Sequence, residues 1–286
     1  MIRFRKKQAP KATGGKFFTK QETKDLPPIV ELKDVHRNYR EGAQPVKALR
    51  GVNLDVGRGE MIAIMGPSGS GKTTLLNIVG LLDTPDAGTV KFAGVDLGEL
   101  KRRKVPVFRQ NEVGMIFQQK NLIPSLTAFE NVYLPFRYAR GKRSQGREQA
   151  REALRLVGML ERSEHLPHQL SGGEKQRVAV ARALVLSPAV VLADEPTGEL
   201  DSANSHHVME LLRELNRRTG QTFIIVTHDR SVADVCDRTL HMEDGKIKET
   251  TRKRPVQKAP EKASAKRPSA KRPAAPVQRA GKARKR

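Results

Sequence analysis

Gly66-Pro67-Ser68-Gly69-Ser70-Gly71-Lys72-Thr73 has the spacing G-x-x-x-x-G-K-[ST], in which glycines let the backbone turn its N–H groups inward around an anion. Lys72 adds a cation for the β- and γ-phosphates of a nucleotide, and the Thr73 hydroxyl is a hard oxygen suited to Mg²⁺. A second pair of groups, Asp194 and Glu195, follows the apolar run Val190-Val191-Leu192-Ala193. Adjacent side chains at a strand end point in different directions, so the two carboxylates can divide the work. Asp194 would hold the metal through water, and Glu195 would polarise an attacking water as general base. Together the motifs predict phosphoryl chemistry on a nucleoside triphosphate.

These groups need a frame that holds them at one edge. Glu60-Met61-Ile62-Ala63-Ile64-Met65 is a short, nearly all-apolar run, as expected of a strand covered on both faces, and Lys72–Leu81 follows with helical spacing. The phosphate loop therefore joins strand to helix, and the positive end of the helix dipole faces the anion. Val190–Ala193 and Phe223–Val226 repeat the buried-strand signal, each after an amphipathic stretch, Glu174–Leu186 and Ser205–Arg218. The alternation predicts an α/β domain with a largely parallel sheet, whose carboxyl edge is where such folds bind ligands. Residues 120–170 break the rhythm with a helical lobe.

Leu170-Ser171-Gly172-Gly173-Glu174-Lys175-Gln176 is a second glycine-rich loop opening a helix, hence a second anion-binding end, but with no second lysine of the phosphate-loop kind. Here the sequence resembles the ABC ATPase family, in which this signature in one subunit caps the γ-phosphate held by the phosphate loop of the other. The resemblance implies the ABC ATPase fold, a phosphate-loop core with a small antiparallel β region and a helical lobe. It also implies a homodimer joined head to tail through ATP. Tyr39 would stack on adenine; Gly66, Pro67, Ser68, Gly69, Ser70, Gly71, Lys72, Thr73 and Thr74 would bind the nucleotide; Ser171, Gly172, Gly173 and Glu174 would reach it from across the dimer.

The remaining family motifs match residue by residue. Gln118, in Met115-Ile116-Phe117-Gln118, corresponds to the glutamine that contacts Mg²⁺ and the attacking water and senses the transmembrane partner, so the implied Mg²⁺ set is Thr73, Gln118 and Asp194. His228, in Ile225-Val226-Thr227-His228-Asp229, matches the switch histidine on the γ-phosphate and joins Glu195 and Gln118 as catalytic. Glu199-Leu200-Asp201 corresponds to the D-loop, where Glu199 departs from the usual alanine or asparagine and Asp201 is retained.

Asn121-Leu122-Ile123-Pro124-Ser125-Leu126-Thr127-Ala128-Phe129-Glu130-Asn131-Val132 is similar to a stretch of transporter ATPases of the lipoprotein-release and macrolide-export (LolD/MacB) type. DNA-repair ATPases of this class carry a long coiled coil between the two glycine loops, and translation factors carry two cassettes. The sequence has neither. The implied function is ATP hydrolysis powering a separate permease for lipoprotein, lipid, peptide or macrolide-like substrates. An FtsE-like cell-division ATPase and a nucleic-acid-associated ABC ATPase stand beside it as alternatives.

Composition sets the surroundings. The 286 residues, 37% of them hydrophobic, suffice for one substantial core, placed here at residues 29–249. The net charge of +23 sits mostly at the ends: +6 on residues 1–25, +13 on residues 251–286, and only +4 between them. The basic N-terminal extension 1–28 and the Lys/Arg/Pro/Ala-rich tail 250–286 have too little apolar surface to offset their ordering entropy and are expected to be disordered. Such a tail would meet anionic lipid or nucleic acid, but it has no aromatic residue for base stacking. No run of roughly 18 apolar residues is present, the N-terminus lacks a signal-peptide core, and the single cysteine, Cys236, forms no internal disulfide. The expected location is the cytoplasmic face of the inner membrane, beneath the permease.

Overall fold

The computed structural model describes residues 26–41, 44–139 and 143–252. The expectations for residues 1–25 and 253–286 lie outside the described residues.

Among the described residues are ten strands and seven α-helices. The first part runs β1 (Val30–Glu41), β2 (Gln44–Val56), β3 (Met61–Met65), α1 (Lys72–Val79), β4 (Ala87–Phe92), β5 (Val95–Asp96), α2 (Val105–Glu112) and β6 (Val113–Ile116). Then come α3 (Ala128–Tyr138), α4 (Arg143–Leu156), α5 (Gly172–Leu184), β7 (Val190–Asp194), α6 (Ser202–Thr219), β8 (Thr222–Val226), α7 (Arg230–Ala233), β9 (Arg238–Glu243) and β10 (Lys246–Arg252). One sheet has the order β10-β9-β3-β8-β7-β6, parallel except for the β9–β10 pair. A second, β2-β1-β4-β5, is antiparallel throughout. A largely parallel sheet with a smaller antiparallel one is the α/β arrangement expected from the sequence.

Every residue of β3 and β8 is buried, which is why these strands read as unbroken apolar runs rather than alternations. Their side chains feed two separate cores. Met61, Ala63, Met65, Val191, Ala193, Phe223 and Ile225 join the helices α3 to α6 on one face. Ile62, Ile64, Val190, Leu192, Ile224 and Val226 join α1 and the antiparallel sheet on the other. The phosphate-loop helix α1 and the signature helix α5 therefore pack on opposite faces of the central sheet.

The helical region is fixed by local chemistry. Thr127 caps α3 in a reciprocal box with Glu130: Thr127 Oγ1 accepts from the Glu130 N–H (3.2 Å), and Glu130 Oε2 accepts from the Thr127 N–H (2.9 Å). Fully buried Asn131 organises the preceding loop, accepting from the Ile123 N–H and donating to the carbonyls of Ile123, Leu126 and Thr127. A methyl at Gly114 would lie 2.3 Å from the Ala183 carbonyl, so glycine lets β6 press directly on α5.

Candidate active site

The phosphate loop leaves the buried end of β3 under tight steric control. At Gly66 (φ 157°) a Cβ would stand 2.1 Å from the Met242 carbonyl, and at Gly71 (φ 100°) 2.4 Å from that of Ala48, so neither position accepts a side chain. On the outer rim, by contrast, no heavy atom lies within 4 Å of a Cβ placed on Gly69. The Ser70 carbonyl accepts from the Gly245 N–H (3.0 Å), which anchors the loop to the β9–β10 turn. Lys72 Nζ arches back and donates to the carbonyls of Gly66 (2.8 Å) and Pro67 (2.7 Å). Burial pulls its pKa down, while the carboxylates of Glu195 and Asp194 act the other way. The Ser70 hydroxyl is buried without a partner. An open rim at Gly69, a desolvated ammonium and an unbonded hydroxyl at a helix N-terminus suit a polyphosphate.

Asp194 closes β7 and pairs in register with Val226. Burial raises its pKa, the charge of Glu195 adds to that, and Lys72 opposes it. The sign for stability follows. A carboxyl whose pKa rises on folding holds its proton more firmly in the native state, so stability falls as pH climbs from the ordinary 3.8 to the raised value. Above the raised value that cost is complete. Asp194→Asn is therefore expected to raise the Tm of the nucleotide-free protein, by roughly 2–4 °C for each kcal/mol relieved. Thermal unfolding of both forms from acid to neutral pH checks this; a variant that melts earlier at neutral pH contradicts it.

Glu195 sits in the left-handed region (φ 46°), which costs a non-glycine residue energy and is common where a side chain must be aimed. Its N–H donates to the Val226 carbonyl (2.9 Å) across the strand ends. Oε1 accepts from the His228 N–H (3.1 Å) and lies 2.7 Å from His228 Nδ1; Oε2 accepts from the Thr227 hydroxyl (3.2 Å). With Nδ1 committed to Glu195, Nε2 is the nitrogen that the largely exposed His228 ring can offer outward.

Gln118 follows β6 with its amide against the turn after Glu195: a Cβ on Gly198 would meet Gln118 Nε2 at 3.1 Å. Hard oxygens from Thr73, Asp194 and Gln118 suit Mg²⁺. Among the described residues no group of three or more His, Cys, Asp or Glu side chains is placed to hold a metal ion.

Ser171 caps α5. Its Oγ accepts from the Glu174 N–H (3.2 Å) and its N–H donates to Glu174 Oε2 (2.8 Å). That backbone N–H, with burial opposing it, holds the Glu174 carboxyl below the usual range, helped by Arg162 and Arg177. Asp201 caps α6, accepting from both the backbone N–H (2.8 Å) and the side-chain amide (2.7 Å) of Asn204. A Cβ on Gly173 would lie 2.6 Å from Asn204 Oδ1, so this asparagine bridges the D-loop and the signature loop. Tyr39 lies in β1, its hydroxyl donating to Asp83 after α1 (2.7 Å) and the Arg37 guanidinium 4.8 Å from its ring centre.

Lys72, Asp194 and Glu195 are thus brought within each other's fields, Glu195 meets His228, and Gln118 meets the turn beyond. Ser171 to Glu174 belong to the other face of the sheet, and Tyr39 is tied to the loop after α1. Sequence reading missed Thr227 and Asn204. Thr227 adjoins His228 and was within reach; Asn204 carries no local signal.

A family model described as ABC transporter matches residues 49–198. The lipoprotein-releasing system ATP-binding protein LolD of Bordetella pertussis is 48% identical over 227 residues, spanning 79% of this chain and 98% of LolD. The macrolide export ATP-binding/permease protein MacB of Chlorobaculum tepidum is 44% identical over 226 residues, which are only 34% of its own length. Among solved structures, the dimeric post-hydrolysis state of the ATP-binding cassette MJ0796 bound to ADP and Pi superposes with a TM-score of 0.71 at 42% identity, covering 78% of this chain and 98% of that one. The cbiO1 protein of Clostridium perfringens, part of the transporter complex cbiONQ, gives 0.72 at 30% identity, covering 79% and 89%.

Proposed function

This chain belongs to the ABC transporter family as an ATP-hydrolysing subunit, and from that premise we propose that two copies sandwich ATP head to tail and drive a separate permease in the export or release of lipoprotein, lipid, peptide or macrolide-like substrates. The observation that carries the reading is the convergence of Lys72, Asp194 and Glu195 at one sheet edge, with Glu195 held by Thr227 and His228.

In this scheme Lys72 exchanges the Gly66 and Pro67 carbonyls for phosphate oxygens, while the loop N–H groups hold the rest of the triphosphate. Thr73, Asp194 and Gln118 would hold Mg²⁺. The ion, when bound, neutralises charge on the phosphate oxygens. Glu195 takes the proton of the attacking water, and His228 turns Nε2 to the γ-phosphate. Tyr39 stacks on adenine. The Ser171 hydroxyl and the N-terminus of α5 meet the phosphate bound by the other copy, a division supported by the placement of α1 and α5 on opposite faces of the sheet. Loss of phosphate removes those cross-contacts and lets the pair open.

The proposed place, beneath a separate permease at the cytoplasmic face of the inner membrane, follows the likeness to LolD, an ATP-binding protein of a lipoprotein-releasing system. No helix among the described residues is long and apolar enough to cross a membrane. The chain spans nearly all of LolD but only about a third of MacB, whose name joins an ATP-binding part to a permease. The +13 of residues 251–286 adds a salt-sensitive contact with anionic lipid or nucleic acid.

The test is ATP hydrolysis by the full chain with and without the membrane protein that co-purifies with it. Turnover that the permease stimulates and Lys72→Ala abolishes supports the reading. Equal turnover in the wild type and Lys72→Ala overturns it.

A further inference from the structure

The D-loop residue that departs from the family pattern is paired in the structure. The Glu199 carboxylate receives a hydrogen-bonded ion pair from Lys120 Nζ, two residues beyond Gln118. The same stretch of loop is gripped from below: the Arg182 guanidinium, from within α5, donates to the carbonyls of Asn121 (2.6 Å) and Lys120 (2.8 Å). On the other side of the pair, Glu199 belongs to a tight turn that starts at the general base. The Gly198 N–H donates to the Glu195 carbonyl (3.1 Å) and the Leu200 N–H to that of Thr197 (3.0 Å). The Gln118 amide rests on Gly198.

We propose that Lys120 and Glu199 are positioning residues for hydrolysis: their ion pair clamps the loop carrying Gln118 to the turn carrying Glu195, and Arg182 ties that clamp to the helix that Ser171 caps. The two groups that handle the attacking water come from segments far apart in sequence, and their separation must hold to a fraction of an ångström for turnover. The clamp spans that gap. It touches neither the phosphate loop nor Lys72, so it governs the chemical step rather than nucleotide binding.

Exposure makes the two ends unequal. The Lys120 side chain is 14% exposed and that of Glu199 41%. Removing Glu199 leaves the ammonium at the tip of a mostly covered Lys120 side chain without its partner, and a search for a new one draws on the loop that carries Gln118. Removing Lys120 leaves a carboxylate that hydrates where it stands.

The test is steady-state ATP turnover of the full chain, with kcat and KM separated, for Glu199→Ala, Lys120→Met and the double variant. Glu199→Ala is expected to lower kcat roughly tenfold with KM within about twofold, and Lys120→Met to lower it about threefold. The double variant should exceed Glu199→Ala, because no lysine is left in the Gln118 loop to seek another partner. Simple multiplication of the two single losses, or KM rising in step with the fall in kcat, overturns the proposal. The inference rests on Glu195 and Gln118 acting on water. Normal turnover by Glu195→Gln would remove that foundation, whereas an inactive Glu195→Gln beside a fully active Glu199→Ala would overturn the clamp alone.

Discussion

Glu195→Gln is expected to bind ATP as the wild type does and to turn it over roughly 10²-fold or more slowly, the loss that follows removal of a general base. The substitution isolates proton transfer because the surroundings are kept. The glutamine carbonyl can still accept from the Thr227 hydroxyl or the His228 N–H, and glutamine meets the same left-handed backbone at φ 46°. What disappears is the capacity to take a proton. Burial raises the Asp194 pKa and the Glu195 charge only adds to it; with that added repulsion gone, the folded protein should melt no earlier than the wild type. Nucleotide affinity, turnover and Tm on one preparation separate these effects. Wild-type turnover by this variant, with Lys72→Ala also active, would dismiss the site.

Ser171→Arg tests the other half of the proposed composite site. Turnover should fall by roughly 10²-fold or more, comparable to losing a donor aimed at developing phosphate charge. ATP affinity should stay close to wild type, because α5 lies across the sheet from α1 and the phosphate loop is intact. Arginine also removes the helix cap, at a cost of about 1 kcal/mol in stability. Ser171→Thr separates the two causes, since it keeps a capping hydroxyl without the bulk and charge. An arginine variant that turns over ATP normally would mean that this loop never meets a nucleotide. Dimerisation with ATP should be lost in Ser171→Arg and trapped in Glu195→Gln, and sedimentation of the two variants reads that difference directly.

Both predictions depend on packing that keeps local motifs apart or together. The glycine spacing of 66 to 71 was readable because those residues answer to constraints a few bonds away, and the carbonyls of Met242 and Ala48 explain why two of them admit no side chain. The buried runs of β3, β7 and β8 were equally readable, since a strand covered on both faces has no polar alternation to obscure it. The antiparallel sheet was far less so. Strands β1 and β2 alternate buried positions such as Leu32, Val35, Leu49 and Val52 with charged ones, interrupted by register shifts in β1, so period-two reading finds little there.

The sequence by itself determined the chemistry on offer: a phosphate loop between strand and helix, two carboxylates after a buried strand, and a second anion-binding helix end. These are contiguous, and contiguous residues take their geometry from local backbone rules. Only the tertiary structure decided which side chains hold the reacting groups. Thr227 and His228 grip Glu195 from the neighbouring strand end, Asn204 joins the D-loop to Gly173, and Lys120 reaches Glu199 across 79 residues of chain. Such partners are chosen by the register of parallel strands and by which face of the sheet each helix covers. Those choices are settled by burying both faces of β3, β7 and β8 together, an energy that no single segment carries.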